Sequence, residues 1–226
     1  MKKLTLKCVV SACGVLFAST MSANTINVLN PSFETLPAGG LTSTGGCGLV
    51  VGCQYSIDVI PGWNNGGYSG QWQPGVLPSF FLNTADLGPT VAYSNGGTIS
   101  QTVGATVVPG TIYTLNVDFG SRFDYPFNGT ADLLINGNQY FSTGSLVSGG
   151  WAPFSATYTG SAADAGQPIT IELTAFGGQA DFDNVQLSDN SPEQFATPEP
   201  ASLVLLGSAF AGFAFWYRRR AAHSRK

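Results

Sequence analysis

The feature that most constrains this chain is an alternation of apolar and polar side chains with a period of two. In TIYTLNVDFG (111–120), every second residue from Tyr113 to Phe119 is apolar. The same pattern recurs in PFSATYTG (153–160) and PITIELTA (168–175). Because successive side chains of a strand point to opposite faces, each segment predicts a half-buried strand of an antiparallel sheet. No segment between 24 and 195 has the 3.6-residue period of a long amphipathic helix.

Turn residues divide these strands. The chain contains 29 glycines and 13 prolines, and the dipeptide Asn136-Gly137 is a strong signal for a tight hairpin. We therefore predict an all-β fold, a two-sheet antiparallel β-sandwich of about eight or nine strands over residues 24–189. Residues 190–200 lose the alternation and are predicted to form a linker.

The N-terminus has the layout of a secretory signal peptide. Lys2, Lys3 and Lys7 form a basic region before an apolar stretch, CVVSACGVLFA (8–18), and the small residues before Asn24 suit cleavage. We predict that residues 1–23 direct the chain to the Sec export machinery.

A second apolar stretch lies near the C-terminus. Residues 201–217 carry no charge, and as a helix they would span about 25 Å, the short end of a bilayer core. Arg218, Arg219 and Arg220 follow at once and would stay on the cytoplasmic side. We predict one transmembrane helix (201–217) and a basic cytoplasmic tail (218–226).

Charge is strongly segregated along the chain. Region 24–200 holds one basic residue, Arg122, and all 13 acidic residues, so its net charge is −12. Such an exported domain repels nucleic acid and suits neutral ligands or divalent cations. It also has no lysine and no histidine, since the only histidine is His223. This excludes Ser-His-Asp and Cys-His catalysis, His-ligated zinc and Schiff-base lysines, and leaves only carboxylate chemistry.

Two cysteines remain after the predicted signal cleavage. Cys47 and Cys53 lie in GGCGLVVGC (45–53). An even number of cysteines in an exported chain predicts a disulfide. Because neither a histidine nor a second cysteine pair lies nearby, a metal site at these residues is not expected.

The C-terminal segment resembles the PEP-CTERM sorting signal. The resemblance rests on Pro198, Glu199 and Pro200, the apolar stretch after them, and the arginine cluster 218–220. It implies export, at least transient retention in the inner membrane, and processing by an exosortase-type enzyme. The mature protein would then reach the cell surface or an extracellular matrix.

The domain resembles galactose-binding-like jelly rolls, including several carbohydrate-binding modules. The resemblance rests on five segments in order: NVLNPSFET (27–35), VIPGW (59–63), GTISQTV (97–103), VPGTIYTLNVDFGSR (108–122) and ADFDNVQLS (180–188). It implies a sandwich whose first and last strands are neighbours, but it does not fix a ligand.

This resemblance also implies a structural calcium site. In similar jelly rolls, an acid after the first Phe and an acid in the last strand meet on the ion; here these are Glu34 and Asp183. Asp181 and backbone carbonyls near Asn30 are further candidates. Calcium prefers six to eight oxygen ligands, which an anionic domain can supply. The alternative is that Glu34 caps a turn and Asp183 lies exposed at a bulge.

Two loops are candidate sugar contacts because they combine aromatic and polar side chains. Tyr68 and Trp72 lie in NNGGYSGQWQPG (64–75), and Arg122 and Tyr125 lie in SRFDYPFNGT (121–130). An exposed aromatic ring can stack on a sugar, and arginine can bridge hydroxyl groups. Alternatively, the aromatic rings belong to the core, and Arg122 only pairs with a nearby acid.

The sequence thus predicts an exported, non-catalytic surface or exopolysaccharide-matrix protein with a carbohydrate-binding-like domain, for which a neutral polysaccharide is a candidate partner. One alternative is a structural matrix or adhesion protein without a defined sugar ligand. A third hypothesis is a glycosidase that uses Asp181 and Asp183 as acid and base. Exposed aromatic rings in a groove would favour sugar binding over a structural role.

Overall fold

The computed structural model describes residues 23–85 and 87–191, together with Ser208 and Phe210. Within these residues the chain forms thirteen strands, nine of them four residues or longer. They are β1 Asn24–Ile26, β2 Gln54–Tyr55, β3 Asn64–Asn65, β4 Ser69–Gln73, β5 Val91–Ser94, β6 Gly97–Thr106, β7 Ile112–Ser121, β8 Gly129–Ile135, β9 Asn138–Phe141, β10 Thr143–Gly144, β11 Gly150–Thr159, β12 Pro168–Ala175 and β13 Ala180–Asp189.

The strands form two antiparallel sheets, which confirms the predicted sandwich. The larger sheet has the order β10-β11-β7-β13-β5-β4-β2, and β1 pairs with one end of β13. The smaller sheet has the order β3-β6-β12-β8-β9. First and last strands are neighbours, as expected, with Asn24 opposite Asp189.

The alternating residues fill the core between the two sheets. From β7, Tyr113, Leu115, Val117 and Phe119 point inward and are at most 2% exposed. Phe119 stacks on Phe154 of β11, with ring centroids 4.1 Å apart. Burial of such side chains, each worth about 2 kcal/mol, fixes the register because a one-residue slip would turn every one of them outward.

A bulge in β13 interrupts the alternation at one place. Phe182 and Val185 both join the core although two residues separate them, and the pairing with β7 shifts between Asp183 and Gln186. Asn184 has a φ of 50°, a left-handed conformation that asparagine tolerates better than most residues. The amide of Val185 donates to the carbonyl of Pro31, so the turn after β1 lies against this bulge.

A second, smaller hydrophobic cluster covers the outer face of the larger sheet. Its buried members come from β4, β5 and two long loops: Cys47, Cys53, Trp72, Phe81, Ala85, Val91 and Tyr93. The predicted disulfide joins Cys47 to Cys53. The loops therefore form a layer over β4 and β5 on this outer face.

The smaller sheet presents its outer face as rows of polar side chains. Thr98 and Thr102 of β6 form hydrogen bonds with Thr174 and Thr170 of β12, at 3.0 and 2.8 Å. Asp132 of β8 also belongs to this side, yet it is fully buried. Burial, and secondly the nearby Glu172 carboxylate, raise the pKa of Asp132 to about 7.

The predicted terminal segments lie outside the described residues. These are the signal peptide, Pro198–Pro200, nearly all of 201–217, and Arg218–Arg220. Ser208 and Phe210 are helical. In the part of the chain that the structure describes, no helix has the length and apolar character needed to cross a membrane.

Candidate functional site

One row of side chains crosses the outer face of the larger sheet beneath the loop layer. Trp151, Gly120, Asp181, Tyr93 and Gly70 are successive partners across β11, β7, β13, β5 and β4. A Cβ atom on Gly120 would lie 2.6 Å from the Trp151 ring, so the glycine makes room for the indole. An acid thus lies in the middle of the face, with aromatic rings on both sides.

A pocket of about 140 Å³ opens beside this row. Arg122, which follows β7, lines the pocket and forms two hydrogen bonds with Asp124, at 2.9 and 2.5 Å. Its remaining terminal nitrogen donates to Gln179 Oε1 at 2.8 Å. The lining residues come from the disulfide loop, β2, both predicted loops, β5 with the residue after it, and the residue before β13: Gly46, Cys47, Tyr55, Tyr68, Trp72, Tyr93, Asn95, Arg122 and Gln179.

Three of the four predicted sugar-contacting residues meet at this pocket, but Trp72 is not an exposed platform. Trp72 is only 5% exposed, its indole N–H donates to Cys53 Sγ at 3.3 Å, and the Arg122 guanidinium lies 5.0 Å from its ring centroid. The aromatic ring that remains accessible is Tyr68, which is 49% exposed. Tyr125 is also half-exposed, but it does not line the pocket.

Asp181 lies directly behind the pocket wall. Gln179 Nε2 donates to Asp181 Oδ1 at 2.7 Å, and Asp181 itself is 1% exposed. Burial raises the pKa of Asp181 to about 7, although the Gln179 hydrogen bond and the Arg122 charge oppose the shift. Near neutral pH, this carboxyl group therefore exists in both protonation states.

Asp183 and Glu34 approach each other at a second place on the same face. The Glu34 carboxylate accepts hydrogen bonds from the Thr90 amide at 2.8 Å and the Thr90 hydroxyl at 3.1 Å. Asp183 is fully buried, and neither of its carboxylate oxygens has a hydrogen-bond partner among the described residues. Burial raises the pKa of Asp183 to about 7, although the backbone amides of Asn184 and Leu87 oppose the shift; the carboxylates of Asp118 and Glu34 add to it.

These observations test whether the predicted residues fit a cation. An unpartnered, buried carboxylate beside a second acid fits, because a cation would neutralise both. Asp181 lies two residues before Asp183, and its Oδ1 already accepts a hydrogen bond from Gln179. The Asn30 side-chain amide donates to the carbonyls of Thr35 and Pro61, and its oxygen accepts a hydrogen bond from the Thr35 amide. Among the described residues, no group of three acidic, cysteine or histidine side chains is close enough to hold a metal.

Sequence reasoning missed several residues of this face. Asp118 is paired with Asp183 across β7 and β13 and accepts a hydrogen bond from Asn184 at 2.9 Å. Gln179 links Arg122 to Asp181. The alternation in β7 places Asp118 outside the core, and the spacing of Gln179 and Asp181 puts them on one face. Neither pattern shows which strands are neighbours.

Comparison with known families identifies both parts of the chain. The family model described as HpiC1 cyclase matches residues 24–188, nearly three quarters of the chain. The model described as the PEP-CTERM protein-sorting motif matches residues 196–220 and confirms the predicted sorting signal. This motif implies export and recognition by an exosortase. No curated protein matches this chain.

Solved structures share the fold. A Stig cyclase, Fisc, from Fischerella sp. TAU, in complex with (3Z)-3-(1-methyl-2-pyrrolidinylidene)-3H-indole, is 25% identical with a TM-score of 0.61; the match covers 76% of this chain and all of that one. The apo form of a cyclase from Fischerella sp. is 25% identical with a TM-score of 0.62, and the match covers 76% of this chain and 98% of that one. A carbohydrate-binding module of the CBM4 type is only 16% identical with a TM-score of 0.37, and the match covers 72% of this chain and 99% of that one. Because the similar structures are named as cyclases, the prediction of a non-catalytic protein is not supported.

The buried aspartates predict an unusual pH dependence of stability. The pKa values of Asp132, Asp181 and Asp183 are raised to about 7 in the folded state, against about 3.9 when unfolded. The folded state therefore binds more protons between these values. The resulting stabilisation is complete below about pH 4 and is lost as the pH rises through about 7. In EDTA, the free energy of unfolding should fall by a few kcal/mol from pH 4.5 to 7.5, measured by urea denaturation.

Matched variants locate the effect. Asp183→Asn should reduce this slope by about a third, because Asp132 and Asp181 still titrate, whereas Asp58→Asn, which changes an exposed aspartate, should leave it unchanged. A free energy of unfolding that is constant or rises over this pH range would contradict the buried, proton-binding carboxyl groups.

Proposed function

The chain belongs to the HpiC1-like cyclase family, and from this premise we propose that it is an exported protein whose sandwich binds one small, uncharged ligand in the pocket of Tyr68 and Arg122. The observation that carries the proposal is the convergence of the two predicted loops at one pocket on the outer face. The sorting motif supports a site of action outside the cytoplasm.

The chemistry of the pocket favours a neutral ligand with several hydroxyl groups. Asp124 already neutralises Arg122, so the pocket offers no free charge for an ionic ligand. The tyrosine hydroxyl groups and the side-chain amides of Asn95 and Gln179 supply donors and acceptors. The half-exposed ring of Tyr68 offers a stacking surface. A space of about 140 Å³ suits a single ring, so a terminal sugar of a neutral polysaccharide is the ligand class that fits best.

Catalysis by Asp181 is the second candidate function. A carboxyl group with a pKa of about 7 is able to donate a proton at neutral pH, which is the ability that acid-catalysed ring closure requires. Gln179 connects this group to the pocket. The family is named for a cyclase, and the similar Fisc structure holds an indole compound. In this second role, the ligand would be a small aromatic substrate rather than a sugar.

We further propose that Asp183 and Glu34 share a structural calcium ion. Support comes from the buried, unpartnered Asp183 carboxylate beside Glu34. Backbone carbonyls of the adjoining turn or water would complete the ligands. Calcium would supply positive charge between the buried Asp183 carboxylate and the partly exposed Glu34 carboxylate, and it would hold the 87–90 segment on β13.

Removal of Tyr68 or Arg122 tests the pocket. In the exported full chain, Tyr68→Ala and Arg122→Gln should each weaken glycan binding at least about tenfold, because each removes a principal contact. Tyr125→Ala, which changes a half-exposed ring outside the pocket, is the matched control. Affinities would be measured by a glycan array followed by calorimetry.

The same variants separate the two candidate functions. If no glycan binds, or if Tyr125→Ala weakens binding as much, the sugar proposal is wrong. Binding of the indole compound found in Fisc that depends on Tyr68, and turnover that is lost in Asp181→Asn, would instead favour a cyclase.

Chelation tests the calcium site. A cation that binds only the folded state at a hundredfold excess over its dissociation constant stabilises it by about 2.7 kcal/mol, a melting shift of several degrees for this size. EDTA should therefore lower the melting temperature, and Glu34→Gln or Asp183→Asn should reduce that response. Glu172→Gln, on the smaller sheet, should respond like the wild type. An unchanged melting temperature, or equal stabilisation by magnesium, would refute a specific calcium site.

A further inference from the structure

Three uncharged loop segments come together beside a second cavity, of about 280 Å³, on the outer face of the larger sheet. They are residues 45–53, 74–85 and 142–149, and together they form an apolar loop surface. Region 24–200 carries 13 acidic residues and one arginine, yet none of these lies in the three segments. The segments instead expose aliphatic side chains: Leu49, Val51, Val76, Leu77, Leu82, Leu146 and Val147.

Backbone hydrogen bonds join the three segments. The amide of Val76 donates to the carbonyl of Val51 at 3.0 Å, and the amide of Leu82 donates to the carbonyl of Gly149 at 2.6 Å. A Cβ atom on Gly75 would lie 2.6 Å from the Val51 carbonyl oxygen, so the first two segments touch backbone to backbone. Both of these segments also line the cavity. The exposed aliphatic side chains are therefore neighbours on one surface rather than isolated residues.

The fold holds the most exposed of these side chains in contact with solvent. Leu49 is fully exposed, Val51 is 72% exposed and Leu82 is 61% exposed. The disulfide between Cys47 and Cys53, six residues apart, closes the loop of Leu49 covalently, so this loop cannot fold back to bury its own side chain. Single exposed aliphatic residues are ordinary, but a group of neighbours marks a surface that contacts a protein or a membrane.

We propose that the apolar loop surface docks on a zwitterionic lipid bilayer and inserts Leu49, Val51 and Leu82 between the lipid headgroups. Peripheral binding to a bilayer grows with the apolar area that is buried and with attraction to anionic lipid. The second contribution is absent, because the three segments have no basic residue and region 24–200 has a net charge of −12. The aliphatic side chains therefore provide the attraction. This docking is independent of the Tyr68 pocket and of the function proposed for it.

The sorting motif brings a bilayer within reach of this surface. The motif matches residues 196–220, and its apolar stretch begins at Ala201. The ten residues 192–201, which follow the domain, span at most roughly 35 Å when extended. The apolar loop surface lies near the Asp181 end of β13, where Trp151 and Gly120 continue the row, and the chain leaves at the other end of this strand. Because β13 has ten residues and is about 33 Å long, the connecting chain can reach back along it.

Charge argues against the other occupants of the surface. Two copies of a domain with a net charge of −12 repel each other, which opposes pairing through this face. A basic protein partner would find no acidic residue in the three segments with which to form an ion pair. A neutral bilayer has neither disadvantage, and its acyl chains would cover the exposed leucines and valines.

Photo-crosslinking tests the docking in the full chain reconstituted into phosphatidylcholine vesicles. A benzophenone amino acid replaces Leu49 or Leu82, and mass spectrometry measures the lipid adducts after illumination. The matched control carries the same group in place of Val108, an exposed aliphatic residue beside the end at which the chain leaves the domain. We expect the adduct yields at positions 49 and 82 to exceed that at 108 by at least about fivefold, because burial of apolar side chains holds these loops in the bilayer.

Variants and lipid composition identify the attraction. Leu49→Ser combined with Val51→Ser should lower the adduct yield at position 82 by at least about fivefold, since it removes apolar area, while circular dichroism confirms that the fold is intact. Tyr68→Ala should leave this yield unchanged. Replacement of a third of the phosphatidylcholine by phosphatidylglycerol should also lower the yield, because the domain is acidic, and added salt should restore it.

The outcomes that would overturn the proposal are distinct from failure of the sugar proposal. A domain that is merely held by its tether would give a yield at position 108 equal to or above those at 49 and 82, and this result would refute docking. Crosslinks to a second copy of the chain in place of lipid, or a higher yield in the anionic vesicles, would refute it as well. Loss of glycan binding in Tyr68→Ala with unchanged lipid adducts would support both sites separately.

Discussion

The structure depends on two aspartates that share the outer face of the last strand and have almost no contact with water. Asp181 and Asp183 are at most 1% exposed, in the middle of the larger sheet. A buried carboxylate without a counter-charge is costly, so each must be protonated, hydrogen-bonded or bound to a cation. Asp181 has Gln179 and a nearby arginine. Asp183 has the carboxylates of Asp118 and Glu34 nearby, and only the backbone amides of Asn184 and Leu87 oppose the resulting rise in its pKa.

The loop layer is the reason that these aspartates are buried, and it also forms the walls of the two cavities. The outer face of an antiparallel sheet normally meets water, but here long loops and the Cys47–Cys53 disulfide cover it with a second hydrophobic cluster. The cover buries the aspartates and leaves two spaces, one polar beside Arg122 and one apolar above Trp151. The loop layer therefore accounts for the burial of Asp181 and Asp183, for their raised pKa values and for the two cavities.

Much of the sandwich could be predicted because its determinants are local. Alternation in β7, β11 and β12 identifies inward-facing residues, and Asn136-Gly137 forms the predicted hairpin, with φ angles of 50° and 77°. The candidate site was harder to predict. The sequence indicated Tyr68 and Arg122 but not that they face one pocket, since that depends on non-local pairing of β4, β5 and β13. Trp72 was one candidate for an exposed platform, with burial in a core as the alternative; it is buried, and Arg122 and the disulfide contact it. The apolar cavity arises from loop packing that has no periodic signature.

The ionisation state of Asp183 is the most direct test of this account. In the full chain with ¹³C-labelled aspartate, the Asp183 carboxyl signal would be assigned by its loss in Asp183→Asn and followed by NMR from pH 4 to 8. In EDTA, we expect the pKa of Asp183 to be raised to about 7. With calcium, the same carboxyl should be ionised at pH 6. Titration near the ordinary value of about 4 in EDTA, with no effect of calcium, would contradict the account.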